Sequence, residues 1–197
     1  TTSFFSFLNY WKHSPAAYRK LVVGLLAFTL FNSSDVFLLL RAKQSGISDT
    51  MVIAVYIFYN LVYALFAFPV GILADKIGLK KMFLTGLTFF AIVYFGMSSS
   101  PNIYIYFLLF FVYGIYGAAT EGISKAWISN ITDRKDTATA IGTYSGFQSL
   151  CTMIASSLAG LIWLQFGASA PFFISGVAAI LVIIYFLFNV KHPEAYM

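Results

Sequence analysis

The connection between two long apolar runs reads Gly71-Ile72-Leu73-Ala74-Asp75-Lys76-Ile77-Gly78-Leu79-Lys80-Lys81. The flanking runs, residues 50–74 and 81–98, are close to or above the roughly 20 residues that a helix needs to cross the hydrocarbon core of a bilayer. Glycine reaches positive φ without strain and has no side chain, so Gly78 favours a tight turn and Gly71 favours close helix approach. The stretch therefore predicts a short connection between two membrane-spanning helices.

The composition of the whole chain agrees with a membrane protein. Of its 197 residues, 60% are hydrophobic and 10% are charged, whereas about a quarter of the residues in soluble domains are charged. Six apolar runs predict membrane helices at about 20–40, 50–74, 81–98, 103–128, 137–164 and 171–190. Polar breakers separate them at 41–49, 74–81, 98–102, 133–136 and 166–171.

We therefore expect an all-α membrane protein with three parts. A cytoplasmic or interfacial lead-in occupies residues 1–19, a bundle of six transmembrane helices occupies 20–190, and a cytoplasmic tail occupies 191–197. Trp11 and several Phe residues in the lead-in are consistent with a helix lying on the headgroups or with a simple aromatic anchor. Because the chain begins with Thr1 rather than Met, we expect a cropped or processed product.

The positive charges predict the orientation of the bundle. If the helices alternate in direction, nine of the twelve Lys and Arg residues lie on one side, two lie on the other, and Lys125 falls within a span. The nine are Lys12, Arg19, Lys20, Lys76, Lys80, Lys81, Arg134, Lys135 and Lys191, and the two are Arg41 and Lys43. Cytoplasmic loops carry the excess of Lys and Arg, so both termini of this chain are predicted to be cytoplasmic.

The polar residues of the six predicted helices follow a pattern of three plus three. The first and fourth carry ionisable residues, the second and fifth carry polar stripes, and the third and sixth are almost wholly apolar. Such a pattern is typical of two inverted three-helix repeats, with the apolar helices facing lipid. In the fifth helix, Gly142 and Gly146 share a face, and so do Ser156 and Gly160; these pairs favour tight contact within the bundle or, less directly, a dimer.

Residues 71–81 resemble the G-x-L-A-D-[RK]-x-G-[RK]-[RK] loop of the major facilitator superfamily of secondary transporters. The sequence departs from that pattern at Leu79, where the family usually has a basic residue. The resemblance implies that this loop controls the exchange between conformations. Its functional residues here would be Gly71, Asp75, Lys76, Gly78, Lys80 and Lys81, with Asp75 facing a helix N-terminus or an arginine and the lysines at the headgroups.

The resemblance also implies a partner for the chain, because members of this superfamily normally have twelve helices in two halves. Residues 110–117 lack the arginine that commonly precedes the Gly-x-Gly of a first half, and no proline occurs between Pro101 and Pro171. The chain is therefore similar to the C-terminal half, whose missing partner is an N-terminal six-helix half. Residues 31–46 and 116–128 also look like the seventh- and tenth-helix stretches of a bacterial subgroup of this superfamily, which implies the plasma membrane.

Ionisable residues at bilayer depth are candidates for function, because burying them is costly. Asp35 is expected about 22 Å along the first helix, in the outer half of the membrane. Its alternative role is a polar contact with Asn32, Ser33 or Ser34. Glu121 and Lys125 lie one turn apart and can pair, either as a purely structural pair or with Glu121 acting as the coupling or substrate-binding acid. The full set of substrate or coupling candidates is Asn32, Asp35, Asn60, Tyr116, Glu121, Lys125 and Gln148.

No enzyme or metal motif competes with transport. The chain has one cysteine, Cys151, and its two histidines, His13 and His192, lie outside the predicted spans. We therefore expect no catalytic residues, no cofactor and no nucleic-acid partner, and a small solute as the substrate. A non-transporting sensor or scaffold is the main alternative and a lipid-modifying enzyme a more remote one. The sequence leaves open the substrate (sugar, amino acid, drug or organic anion) and coupling to a proton or to sodium.

Overall fold

The computed structural model describes residues 6–99 and 102–190, with side chains described from Tyr10 onward. The described residues form eight α-helices and no strand. These are α1 (Ser6–His13), α2 (Ala16–Thr29), α3 (Val36–Gln44), α4 (Asp49–Ile77), α5 (Leu79–Ser98), α6 (Ile103–Ile131), α7 (Thr137–Phe166) and α8 (Ala170–Asn189). The predicted tail at 191–197 and the first five residues of the lead-in lie outside the described residues.

Five of these helices, α4 to α8, are long and apolar enough to cross a membrane. They correspond to the second to sixth predicted spans, with their ends shifted by a few residues. Part of the lead-in forms a helix, α1, as the interpretation of a helix lying on the headgroups requires. Its Trp11 packs edge-on against Phe147 of α7, with ring centroids 5.6 Å apart. Helix α2, which contains the start of the predicted first span, begins at Ala16.

The prediction of one continuous first helix is wrong, because residues 30–35 interrupt it between α2 and α3. The interruption contains Asn32, Ser33, Ser34 and Asp35, whose short polar side chains compete with the helix for backbone hydrogen bonds. The Ser34 backbone N–H accordingly donates to the Ser156 hydroxyl of α7 at 3.2 Å. A position for Asp35 calculated from continuous helical rise therefore does not apply.

The connection between α4 and α5 is much shorter than the predicted loop at 74–81. Helix α4 continues to Ile77, α5 begins at Leu79, and Gly78 alone separates them, with φ 94° and ψ 141°. That backbone conformation is close to a region occupied almost only by glycine. The expectation of a tight turn at Gly78 is confirmed.

Two other expectations for this loop fail within the chain. Lys80 is buried rather than at the headgroups, and its Nζ donates to the Val190 carbonyl at the end of α8, 2.5 Å away. The free carbonyls at a helix C-terminus attract a cation, which explains why Lys80 turns inward while Lys76 and Lys81 stay exposed. Around Gly71 the chain leaves open space, since an added Cβ would meet no atom within 4 Å.

The core of the bundle lies between α5, α6 and α8, with α4 packed along α6. Glycine allows α4 and α6 to approach closely: a Cβ on Gly114 of α6 would lie 2.8 Å from the Tyr59 carbonyl oxygen of α4. The buried Arg41 of α3 joins this helix to the end of α5 and to the start of α8. Its guanidinium donates to the carbonyls of Met97 (3.0 Å) and Ser99 (2.9 Å) and to the Ser169 hydroxyl (3.0 Å).

The exposed helices are not those that the sequence pattern indicated. Only 11% of the most apolar stretch of α4, and likewise of α7, is buried inside the chain, against 50% for α5 and 44% for α8. The apolar third and sixth spans are thus well covered, because α5 and α8 pack on each other. Gly142 and Gly146 of α7 meet no atom within 4 Å of an added Cβ, so their predicted contact within this bundle is wrong.

Candidate functional site

A cavity of about 180 Å³ lies between α2, α6 and α7. Its apolar floor is formed by Leu25, Phe28 and Phe83, and its polar wall by hydroxyl, amide and charged side chains. Five of the seven sequence-predicted candidates line it, namely Asn32, Tyr116, Glu121, Lys125 and Gln148. The other polar residues of the wall are Thr29, Thr120, Ser124 and Tyr144.

The broken first span places Asn32 at the edge of this cavity. Its Nδ2 donates to the Tyr116 hydroxyl at 3.0 Å, which fixes the amide against α6. Its Oδ1 is fully buried and has no hydrogen-bond partner. A buried acceptor without a donor costs about 1–3 kcal/mol.

Glu121 and Lys125 lie one turn apart on α6 and are both exposed to the open side of the cavity. They are not paired: within 4.0 Å, the ion pair found among the described residues is Lys43 with Asp49, at 2.9 Å. The expectation that Lys125 is the resting partner of Glu121 is therefore wrong for this structure. The physical reason is exposure, since ion pairs in contact with solvent gain little over separate hydrated charges.

Asp35 is held by tyrosines rather than by the neighbouring polar residues that the sequence indicated. The Tyr59 hydroxyl of α4 donates to Oδ2 at 2.5 Å, and the Tyr113 hydroxyl of α6 donates to Oδ1 at 2.6 Å. These short bonds are typical of hydroxyl donors to a carboxylate. The break in the first span is thereby tied to two long helices.

The sequence alone assigned no role to Tyr113 or Tyr94. Tyr113 lies one turn before Tyr116 on the same helix, which is the signal that would have found it. Tyr94 of α5 has no such signal, because it is surrounded by apolar residues. It is 1% exposed, and its hydroxyl faces Ser33 and Tyr113 near Asp35.

The remaining candidates lie apart from the cavity. Asn60 is exposed on α4 and donates to the carbonyl of Tyr56 at 2.8 Å. Asp75 is exposed near the end of α4. Across the described part of the chain, no three His, Cys, Asp or Glu residues lie close enough together to hold a metal ion.

Long apolar helices around a polar cavity define this chain as a multi-pass helical membrane protein. A sequence model of the Major Facilitator Superfamily matches residues 21–196. The chain therefore belongs to the Major Facilitator Superfamily.

Three curated relatives agree with this assignment. The chain is 34% identical over 158 residues to an uncharacterized MFS-type transporter of Methanocaldococcus jannaschii. This alignment covers 77% of this chain and 40% of that protein. It is 32% identical over 122 residues to the class C tetracycline resistance protein of Escherichia coli, an alignment that covers 60% of this chain and 30% of that protein. It is 27% identical over 141 residues to a multidrug transporter of Candida glabrata, covering 66% of this chain and 24% of that protein. The chain thus spans less than half the length of each of these relatives.

Proposed function

We propose that this chain is the C-terminal half of a secondary active transporter that moves a small solute by alternating access. The observation that carries the proposal is the cavity between α2, α6 and α7, where an acid and a base that form no ion pair lie on one wall with the amide of Asn32. Such a wall is suited to polar or charged solutes.

Helices α2 and α3 together supply the sixth crossing in this proposal. They contain 14 and 9 residues, which at a rise of about 1.5 Å per residue gives about 34 Å of helix. The hydrocarbon core of a bilayer is about 30 Å thick. Discontinuous helices are common at the binding sites of secondary transporters.

The contacts between helices support two inverted three-helix repeats. Helix α4 packs on α6, and α7 packs on α2, as they would if the two triples were exchanged by a two-fold axis. The third member of each triple, α5 or α8, then packs on its counterpart, as observed. In this arrangement the first crossing and α6 occupy equivalent positions beside the cavity.

The missing N-terminal half is the proposed occupant of the exposed faces of α4 and α7. Phe68 is 76% exposed and Leu164 is 82% exposed within this chain. The open space at Gly71, Gly142 and Gly146 also lies on these two helices, where small residues let a neighbouring helix approach. The loop residues at the end of α4, including Asp75, would then control the exchange between the two halves.

We assign solute binding to Glu121 and Lys125, assisted by Asn32, Tyr116 and Gln148. The names of two relatives, one a multidrug transporter and one a tetracycline resistance protein, extend this proposal to drug-like organic molecules as solutes. The proposed location is the plasma membrane, with the termini of this chain in the cytoplasm. Asn60 on the exposed face of α4 would contact the missing half.

The test is solute flux in proteoliposomes containing the full-length protein. Tetracycline and the organic cation ethidium serve as probes, with and without a pH gradient. We expect gradient-driven flux of at least one probe that is lost in Glu121→Gln and kept in Asp133→Asn, a matched change of an exposed acid between α6 and α7. Binding of a probe without flux under any gradient would favour the sensor or scaffold instead.

A further inference from the structure

We propose that Tyr63 of α4 is a positioning residue for Glu121 of α6. Its hydroxyl holds the carboxylate of Glu121 away from Lys125, and this leaves the acid free to bind the positive charge of an organic cation. The inference rests on the proposed transport function, because it takes the cavity beside Glu121 as the solute site. It adds to that function a residue outside the cavity wall and a charge for the solute.

Tyr63 lies in the contact between α4 and α6, with its ring on Gly117. A Cβ added to Gly117 would be 3.1 Å from Cδ2 of Tyr63 and 3.6 Å from its Cε2. At about 1.5 Å of rise per residue, Glu121 lies about 6 Å further along α6, and the Tyr63 hydroxyl faces its carboxylate. The glycine thus makes room for the ring in the direction that brings the hydroxyl to the acid.

The spacing of Glu121 and Lys125 is one that normally favours an ion pair. An acid four residues before a lysine is the better of the two orders on a helix, yet no oxygen of Glu121 lies within 4.0 Å of the Lys125 ammonium. Contact with solvent lowers the gain from pairing but does not decide which way the acid turns. The Tyr63 hydroxyl offers the acid another partner, and a hydrogen bond to a carboxylate is stronger than one to a neutral acceptor.

Tyr63 acts on the acid from outside the cavity. Glu121 and Lys125 both line the cavity of about 180 Å³, whereas Tyr63 is half-buried on α4 and is not one of the lining residues. A carboxylate has about four acceptor positions, so one bond from Tyr63 leaves most of them for a ligand. An acid kept away from its lysine also keeps its full negative charge for the cavity.

The surroundings of Glu121 indicate an organic cation rather than a hydrated metal ion. The cavity brings the rings of Phe28 and Phe83 to the same space as this carboxylate. Aromatic rings attract organic cations through their faces and give apolar surface to the rest of such a molecule. A cation at Glu121 must stay clear of Lys125, which the hold of Tyr63 on the acid makes possible.

The test is the equilibrium binding of ethidium to the purified full-length protein in lipid nanodiscs, measured by fluorescence against empty nanodiscs. We expect saturable binding to the unsubstituted protein and its loss in Glu121→Gln. Tyr63→Phe keeps the ring and removes only the hydroxyl, and it should raise the Kd roughly tenfold, as for one hydrogen bond to a charged group. Tyr56→Phe changes an exposed tyrosine of the same helix and should leave the Kd unchanged.

Lys125→Met separates positioning of the acid from general support of the site. If Tyr63 acts by keeping Glu121 away from Lys125, Tyr63→Phe should alter the Kd by no more than about twofold once Lys125 is methionine. A tyrosine that only supported the fold would weaken binding equally in both backgrounds.

Gly117→Ala tests the same contact and keeps the inference testable if Tyr63→Phe does not fold. The added Cβ should displace the Tyr63 ring and raise the Kd, and adding Tyr63→Phe should then raise it no further. Gly122→Ala is the matched control, because a Cβ there meets open space on the same helix.

The outcomes for binding and for transport are distinguishable. An unchanged Kd in Tyr63→Phe, an equal rise with and without Lys125, or no ethidium binding to the unsubstituted protein overturns the inference. Gradient-driven flux of tetracycline in any of these cases would leave the proposed transport function intact. Ethidium binding that depends on Tyr63 and Lys125 as expected, without flux of either probe, would support the inference and count against transport.

Discussion

Tyr59 and Tyr113 fix the carboxylate of Asp35 although they lie 24 and 78 residues further along the chain. Their hydroxyls reach it because both face the break in the first span from α4 and α6. The sequence identified Asp35 itself, since an acid at bilayer depth is conspicuous. It could not identify the partners, because tyrosines are frequent in this chain and only tertiary packing selects among them.

Glu121 and Lys125 provide the first prediction at this scale. Both side chains are exposed and unpaired, so Glu121→Gln and Lys125→Met should each change the free energy of unfolding by less than about 1 kcal/mol. Tyr113→Phe, which removes a bond to a carboxylate, should cost about 1.5–3 kcal/mol. Thermal or denaturant unfolding in a single detergent compares the three variants.

A different result would restore the structural pair that the sequence indicated. If either single change at Glu121 or Lys125 lowers stability by several kcal/mol and the double change recovers it, the two residues are paired in the folded protein. In that case the exposed geometry found here would not be the resting state.

Lys80 provides the second prediction. Because its ammonium group is buried and bonded to the Val190 carbonyl, Lys80→Met should lower the free energy of unfolding by about 1–3 kcal/mol. The neighbouring Lys81 is exposed, and Lys81→Met should have an effect within about 0.5 kcal/mol. Equal effects of the two changes on the melting temperature would show that Lys80 does not hold the end of α8.

At the scale of helices, the apolar runs predicted five of the six spans because length and hydropathy are local properties of a sequence. The break in the first run was not predicted, although Asn32, Ser33, Ser34 and Asp35 carried its signal. A window of membrane length averages over four polar residues, while the backbone responds to each of them. The extension of α4 to Ile77 was missed for another reason: charged residues near a membrane surface need not end a helix.

The contact between α4 and α6 gives the third prediction. A Cβ on Gly114 would lie 2.8 Å from the Tyr59 carbonyl oxygen and from the Val62 side chain, so Gly114→Ala should force the helices apart at a cost of about 1–3 kcal/mol. Gly122, two turns further along α6, has open space around it, and Gly122→Ala should be neutral or slightly stabilising. Melting temperatures of the two purified variants test the difference.

Because Tyr59 lies at this contact, Gly114→Ala should also disturb its bond to Asp35. A stabilising effect of Gly114→Ala, or a larger loss in Gly122→Ala, would contradict the close approach of α4 and α6. The latter result would instead place another helix against Gly122.

For the molecule as a whole, burial shows which helix faces are covered within this chain and which stay exposed. Hydropathy separated polar from apolar helices but could not separate lipid from protein as their surroundings, since both are apolar. That is why α5 and α8 were expected at the lipid although each covers the other. The exposed faces of α4 and α7 became visible only after the contacts within the chain were known.

The last prediction is that the two ends of the α4–α5–α6 segment lie on opposite sides of the membrane. Three crossings separate Gln44, at the end of α3, from Lys135, between α6 and α7, and both residues are exposed. The excess of Lys and Arg on the side of Lys135 predicts that this residue is cytoplasmic. On a Cys151→Ser background, which removes the half-buried native thiol, Gln44→Cys in intact cells should react with a membrane-impermeant maleimide, and Lys135→Cys should react only after permeabilisation. Reaction of both cysteines from outside would contradict three crossings between them, and the reverse pattern would invert the orientation and place the loop at Gly78 outside the cell.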